Sequence, residues 1–220
     1  MDELTGPSVP PRAGGAPQQL VVLLHGVGAD GHDLIDLAPQ WAHALPHAAF
    51  SSPDAPALYD MIPPGVAHHG RQWFSLADRS PARMAEGVAG ARAALDAFLD
   101  AELARLGLPP DAYALMGFSQ GAMTALYAGL RRAVPPRAVL AYSGMLLAPE
   151  RLAETTARPP VLLVHGEADE VVPVAATRAA EAALRAHGVP VESLYVPRLG
   201  HGIDAAGLSA GGLLLQRVFA

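Results

Sequence analysis

The sequence predicts an α/β protein with a mainly parallel central sheet covered by helices on both faces. Two observations predict it. Short, continuously apolar runs, of the kind that form strands buried on both sides, alternate with longer stretches whose apolar residues recur every three or four positions. The 220 residues contain neither an internal repeat nor an interdomain linker, and that length suits a single domain, residues 1–220, around one substantial core.

Taken in order, residues 1–18 hold several prolines and glycines and predict an irregular segment or an edge strand. Gln19–Leu24 is apolar throughout, too short for a helix, and closed by His25-Gly26. Ala48–Ser52 is a weaker strand ending at Pro53. Residues 53–75 are rich in Pro and Gly without periodicity and predict a long loop, which in a compact domain is usually functional or mobile. From Ser80 to Leu106, apolar Met84, Val88, Ala91, Leu95, Phe98 and Leu99 recur at helical spacing, and Gly107 with Pro109-Pro110 stops the run. The remaining pattern reads strand Tyr113–Gly117, helix Gln120–Arg131, strand Ala138–Ser143, strand Val161–His165, helix Ala175–His187, strand Val191–Val196 and a closing helix around Gly207–Phe219. Only Gly144 to Pro160 separates two of those strands, too little for a separate cap domain.

Composition excludes several functions. Hydrophobic residues make up 51% of the chain, yet no apolar run approaches the ~18 residues needed to span a bilayer. The net charge is −6, and all 15 basic residues are scattered arginines, which argues against a nucleic-acid surface. Residues 1–19 lack the basic start and apolar core of a secretion signal. The chain has no cysteine, which removes disulfides, thiol nucleophiles and thiolate metal sites together and suits a cytoplasmic protein. His68-His69 would point to opposite sides of an extended segment, and no further ligand types accompany them. No metal and no cofactor are expected.

The chemistry is carried by Gly117-Phe118-Ser119-Gln120-Gly121, a Gly-x-Ser-x-Gly between a predicted strand and a predicted helix. In that context it reads as a nucleophile elbow, a turn tight enough that only glycine fits two residues either side of the serine. A serine hydroxyl needs a base to take its proton, and the base needs a third group to fix its tautomer and stabilise its cation. Both types stand at strand ends. The run Val161–His165 leads into Gly166-Glu167-Ala168-Asp169, and Val191–Val196 leads into Pro197-Arg198-Leu199-Gly200-His201-Gly202. Glu167 and Glu170 compete with Asp169 for the acid role. Among the other histidines, His43, His47 and His187 sit where solvation or capping explains them, and His25 and His165 precede turn glycines and order those turns. The chain order Ser119, Asp169, His201 is that of the α/β-hydrolases. An oxyanion needs preorganised N–H donors. The amide of Gln120 follows the nucleophile at the helix start, and Val27 is the best candidate in His25-Gly26-Val27-Gly28-Ala29-Asp30-Gly31, where three glycines in six residues free the backbone.

Together with Gln72-Trp73-Phe74, His165-Gly166-Glu167-Ala168-Asp169-Glu170-Val171-Val172-Pro173 and Gly200-His201-Gly202, these segments resemble the phospholipase/carboxylesterase family of α/β-hydrolases, which also holds acyl-protein thioesterases. They run in the family's order over nearly the whole chain. The resemblance implies a catalytic triad of Ser119, Asp169 and His201 with oxyanion donors at Val27 and Gln120. Two positions depart from the family pattern: Val27, where leucine is common, and Ala122, where many relatives carry glycine. Trp73, Phe74, Met145 and Leu146 are candidates for a substrate groove, with plain packing the competing reading for each.

The expected activity is that of a serine carboxylesterase acting on short- to medium-chain carboxylic esters through an acyl-enzyme on Ser119. An acyl-protein or acyl-CoA thioesterase, or a lysophospholipase, would share the whole machinery, and a non-catalytic binding protein retaining the fold is the reading from another class. The partner expected is therefore a small ester or thioester substrate, with no nucleic acid and no integral membrane segment. A homodimer would suit a small family member this rich in apolar residues, although no segment identifies an interface.

Overall fold

The computed structural model describes residues 4–62, 65 and 70–220. Seven strands form one sheet in the order β1-β3-β2-β6-β7-β8-β9. They are β1 (Ser8–Val9), β2 (Gln19–Leu24), β3 (Ala48–Ser51), β6 (Tyr113–Phe118), β7 (Val139–Tyr142), β8 (Val161–Gly166) and β9 (Val191–Val196). Every neighbouring pair is parallel except β1, which runs antiparallel to β3 at the edge.

The apolar runs are strands because both of their faces are covered. Along β2, Leu20, Val22 and Leu24 point into one core layer, while Val21 and Leu23 point into the other. The first layer is closed by α3 (Pro81–Leu106), α4 (Gln120–Gly129) and α5 (Val174–Ala186); the second by α1 (His32–Ile35), α2 (Ala38–Ala42) and α6 (Ala205–Phe219). The expected covering of both faces is therefore what the chain adopts. In α3 the six apolar residues marked by periodicity are all buried. Gly107 ends that helix in the left-handed conformation, φ 68°, with the Leu108 amide bonded back to the Leu103 carbonyl.

Several elements differ from the expected ones. Residues 53–75 are not structureless: β4 (Ala57–Leu58) pairs antiparallel with β5 (Arg71–Gln72). These strands are two residues each, too short for period-two alternation to show. The helices α1 and α2 were likewise invisible, at four and five residues too brief for a helical period. The stretch before β8 holds a 3₁₀ turn, Pro149–Glu154, and no cap domain. His68 and His69 lie outside the described residues.

α3 is tied to the sheet by one buried carboxylate. Glu102 accepts from Ser51 Oγ at 2.6 Å and from Arg105 at 2.7 and 2.8 Å. The Arg105 hydrogen bond is the main reason its carboxyl sits below the usual range; burial opposes the shift and Ser51 adds to it. A carboxyl whose folded pKa is depressed contributes stability that is complete above the unfolded-chain value of about 4.3 and is lost as pH falls through the folded value. Glu102→Gln should therefore cost about 1 kcal/mol at pH 7, a modest figure because Arg105 is largely solvated. In urea unfolding, the gap between variant and wild type should close as pH drops below about 4. A gap that stays constant down to the lowest pH at which the fold survives would contradict the assignment.

Candidate active site

The parallel strands β2, β6, β7, β8 and β9 end along one edge of the sheet, and Val27, Ser119, Met145, Leu146, Asp169 and His201 follow them there. This is where open α/β sheets place their ligands. Ser119 stands between β6 and α4 with φ 54° and ψ −116°, a strained conformation for a residue with a side chain. The glycines around it are obligatory. A Cβ on Gly121 would lie 1.9 Å from the Leu24 carbonyl oxygen, and one on Gly117 would lie 2.3 Å from the Gly121 oxygen. The Ser119 amide bonds the Tyr142 carbonyl at 2.9 Å. Among the described residues, its hydroxyl has no hydrogen-bond partner.

Asp169 and His201, the acid and base expected from the sequence, share a hydrogen bond. Asp169, in the loop after β8, accepts from His201 Nδ1 on Oδ2 at 2.7 Å, and its Oδ1 accepts the amides of Val171 and Val172 at 2.9 Å each. Burial pushes the Asp169 carboxyl upward, but the bonds from His201, Val172 and Val171 outweigh it and hold the group below the usual carboxylate range. It stays ionised at neutral pH. Glu167 instead pairs with exposed Arg178 at 2.8 Å, and Glu170 is exposed. Gly166 makes the convergence of the two loops fit, because a Cβ there would lie 2.2 Å from the Leu199 oxygen and 2.4 Å from the Gly200 oxygen. The Ala168 amide bonds Leu199 O across the same gap at 2.9 Å.

Three residues around this pair extend it: Phe118 and His165 by contact, and Thr177 through His165. Phe118 packs its ring against His201 at 4.9 Å between centroids, which brings the imidazole to the residue before Ser119. His165 is fully buried, with Nε2 facing the Val172 carbonyl at 2.8 Å and Asp169 Oδ2 at 3.2 Å. Its Nδ1 meets Thr177 Oγ1 at 2.6 Å, and that hydroxyl donates to Gly144 O at 2.8 Å. His165 does order a turn, as its place before Gly166 suggests, but the turn it orders carries Asp169. Thr177, on α5, had no signal, since its partners are brought to it only by packing.

In the loop after β2, the Val27 amide meets no acceptor among the described residues, and the Gln120 amide, at the first turn of α4, has no acceptor within its helix. Gly26 lies against the elbow, since a Cβ there would be 3.5 Å from Ser119 Cβ. Gly28, at φ 82°, bonds Arg71 O, and Arg71 N returns the bond to Ala29 O. Trp73, Phe74 and Leu146 are buried and Met145 is half-buried. Trp73 and Phe74 line a cavity of about 610 Å³ against Gly87, Gly90 and Ala91 of α3 that includes none of Ser119, Asp169 and His201. Among the described residues, no cluster of histidine and carboxylate side chains has the makings of a metal site.

A strained serine at a strand-to-helix elbow, with an Asp-paired histidine at the same sheet edge, defines a serine hydrolase of the α/β-hydrolase type. The comparisons with known proteins agree. The family model for phospholipase/carboxylesterase matches residues 11–211, and the chain belongs to that family. It is similar to the acyl-protein thioesterase 1 of Schizosaccharomyces pombe, 31% identical over 162 residues, covering 70% of this chain and 69% of that one. The esterase YpfH of Escherichia coli is 29% identical over 196 residues, covering 85% and 77%. The crystal structure of esterase PE8 superposes with a TM-score of 0.90 at 40% identity, covering 99% of this chain and 100% of that one. An ester or thioester hydrolase is the activity these relatives share.

The elbow is the most sterically demanding point of the site. Gly121→Ala should destabilise the protein by at least about 3 kcal/mol, because backbone has to move. Gly202→Ala, whose Cβ would meet nothing within 4 Å, should stay within about 0.5 kcal/mol. Thermal unfolding of the two variants checks this, and equal losses would contradict it.

Proposed function

We propose that the protein is a serine carboxylesterase that hydrolyses short- to medium-chain carboxylic esters through an acyl-enzyme on Ser119. The observation that carries the reading is the Asp169–His201 hydrogen bond at 2.7 Å, made on the sheet edge where the strained Ser119 stands. Asp169 accepts a hydrogen bond from the Nδ1–H of His201, which keeps the proton on Nδ1 and leaves Nε2 as the basic nitrogen. His201 takes the Ser119 proton as Oγ attacks the ester carbonyl carbon. The carbonyl oxygen becomes an oxyanion received by the amides of Val27 and Gln120, the second aided by the N-terminal dipole of α4. Collapse of the tetrahedral intermediate breaks the bond to the alkoxy oxygen, which leaves with the proton from His201. Water then gives a proton to His201, attacks the acyl carbon and releases the acid, and Ser119 recovers its proton.

The esterase reading draws on the 40% identity to esterase PE8 across the whole chain. The absence of a cap between β7 and β8 supports an open site suited to short and medium acyl groups. A thioesterase reading has its own support in the similarity to acyl-protein thioesterase 1, and the same residues would serve a sulfur leaving group. Rates on matched oxygen and sulfur esters separate the two.

With p-nitrophenyl esters from acetyl to palmitoyl, wild-type activity should peak at short or medium chains, and Ser119→Ala should lose it by at least 10⁴-fold. Asp169→Asn should keep the fold and lose roughly 10⁴-fold in kcat, through the wrong His201 tautomer. Activity surviving in Ser119→Ala would sink the acyl-enzyme.

A further inference from the structure

The two amides proposed to hold the oxyanion belong to different parts of the chain, Val27 after β2 and Gln120 after β6. Amides 93 positions apart in sequence form one anion site only if something holds the two loops in register. Trp73 hydrogen-bonds to both. The Trp73 indole N–H donates to the His25 carbonyl at 2.9 Å, two residues before Val27. The Trp73 backbone N–H donates to Gln120 Oε1 at 2.8 Å. Gln120 completes the clasp from its own side, with Nε2 donating to the Phe74 carbonyl at 2.8 Å.

All three side chains in this network are almost wholly enclosed, His25 at 0%, Gln120 at 1% and Trp73 at 2% exposure. Burying an indole N–H and a carboxamide is unfavourable unless each polar atom is bonded, and here each one is. The His25 imidazole is committed as well. Its Nδ1 donates to Gly26 O at 2.7 Å and its Nε2 accepts the Ala55 amide at 3.0 Å, so the ring is neutral and fixes the peptide next to Val27. Burial lowers the pKa of this histidine, against weaker upward influences from the Gly26 bond and nearby aspartates, which suits that neutral form.

We infer that Trp73 is a positioning residue for the oxyanion hole, holding the amides of Val27 and Gln120 at a set separation through its indole and backbone N–H groups. This rests on the acyl-enzyme reading above and assigns Trp73 a role other than groove wall. A wall residue acts on the acyl chain and changes KM in a way that depends on chain length. A strut acts on the transition state alone, because the oxyanion exists only there, and its loss lowers kcat alike for every acyl chain.

Trp73→Phe removes the indole donor and keeps an aromatic ring. Losing a whole oxyanion donor costs about 10²–10³-fold, so a donor left misplaced should cost roughly 10- to 100-fold in kcat. That loss should be equal for acetyl, butyryl and octanoyl esters, with KM changed less than about twofold. Affinity for an alkyl trifluoromethyl ketone, which adds Ser119 to give a tetrahedral oxyanion, should fall by the same factor as kcat/KM. Gln120→Met, which deletes the clasp and leaves the Gln120 amide in place, should show the same pattern and serves if Trp73→Phe does not fold. Unchanged kcat, or a KM that climbs with chain length at constant kcat, would overturn the strut. Wild-type protein without any Ser119-dependent turnover would overturn the acyl-enzyme reading instead, and the strut with it.

Discussion

Helix α4 starts so close to β2 that there is no room for a side chain between them. The Leu24 carbonyl oxygen occupies the place where a Cβ of Gly121 would be, and the Gly121 carbonyl occupies the place where one of Gly117 would be. That approach forces the chain to reverse within the single residue Ser119, which therefore adopts φ 54°. The strain is held by the parallel sheet on both sides, through the Ser119 amide on Tyr142 O and the β2–β6 pairing that ends at Leu24 and Gly117. Everything else in the site is arranged around a serine whose backbone cannot relax without parting β2 from α4.

The same economy of space recurs where His201 arrives. Gly166 lets the Leu199–Gly200 backbone lie directly on the end of β8, so the loop after β9 brings His201 onto the carboxylate that the loop after β8 presents. Asp169 is held on one oxygen by two amides and on the other by His201, with buried His165 also facing it. His165 is in turn linked through Thr177 to Gly144, beside the elbow. Asp169 is thus oriented by groups from three strand ends, which fits the role proposed for it, to hold one tautomer of His201.

Much of this was legible because strong signals coincide with strong physical constraints. Gly117 and Gly121 are written into the sequence by steric exclusion, and the apolar runs Gln19–Leu24, Tyr113–Gly117 and Val161–His165 by burial on two faces. Asp169 stood out from Glu167 and Glu170 by its place in the motif, and the geometry that separates them, a bond to His201 against a surface pair with Arg178, is tertiary. What stayed hidden was either too short or too distant. The hairpin of Ala57–Leu58 with Arg71–Gln72 and the helices α1 and α2 are shorter than the periods that reveal such elements. Phe118 on His201, Thr177 on His165 and Trp73 on both His25 and Gln120 are contacts that folding creates between residues with no shared pattern.

The most direct measurement is a crystal structure of the protein after reaction with a fluorophosphonate. Phosphorus should be bonded to Ser119 Oγ, with the phosphoryl oxygen within hydrogen-bond distance of the Val27 and Gln120 amides and His201 Nε2 facing the Ser119 or leaving-group side of the adduct. A reagent attached elsewhere, or a phosphoryl oxygen turned away from both amides, would contradict the proposed nucleophile or the proposed oxyanion hole respectively.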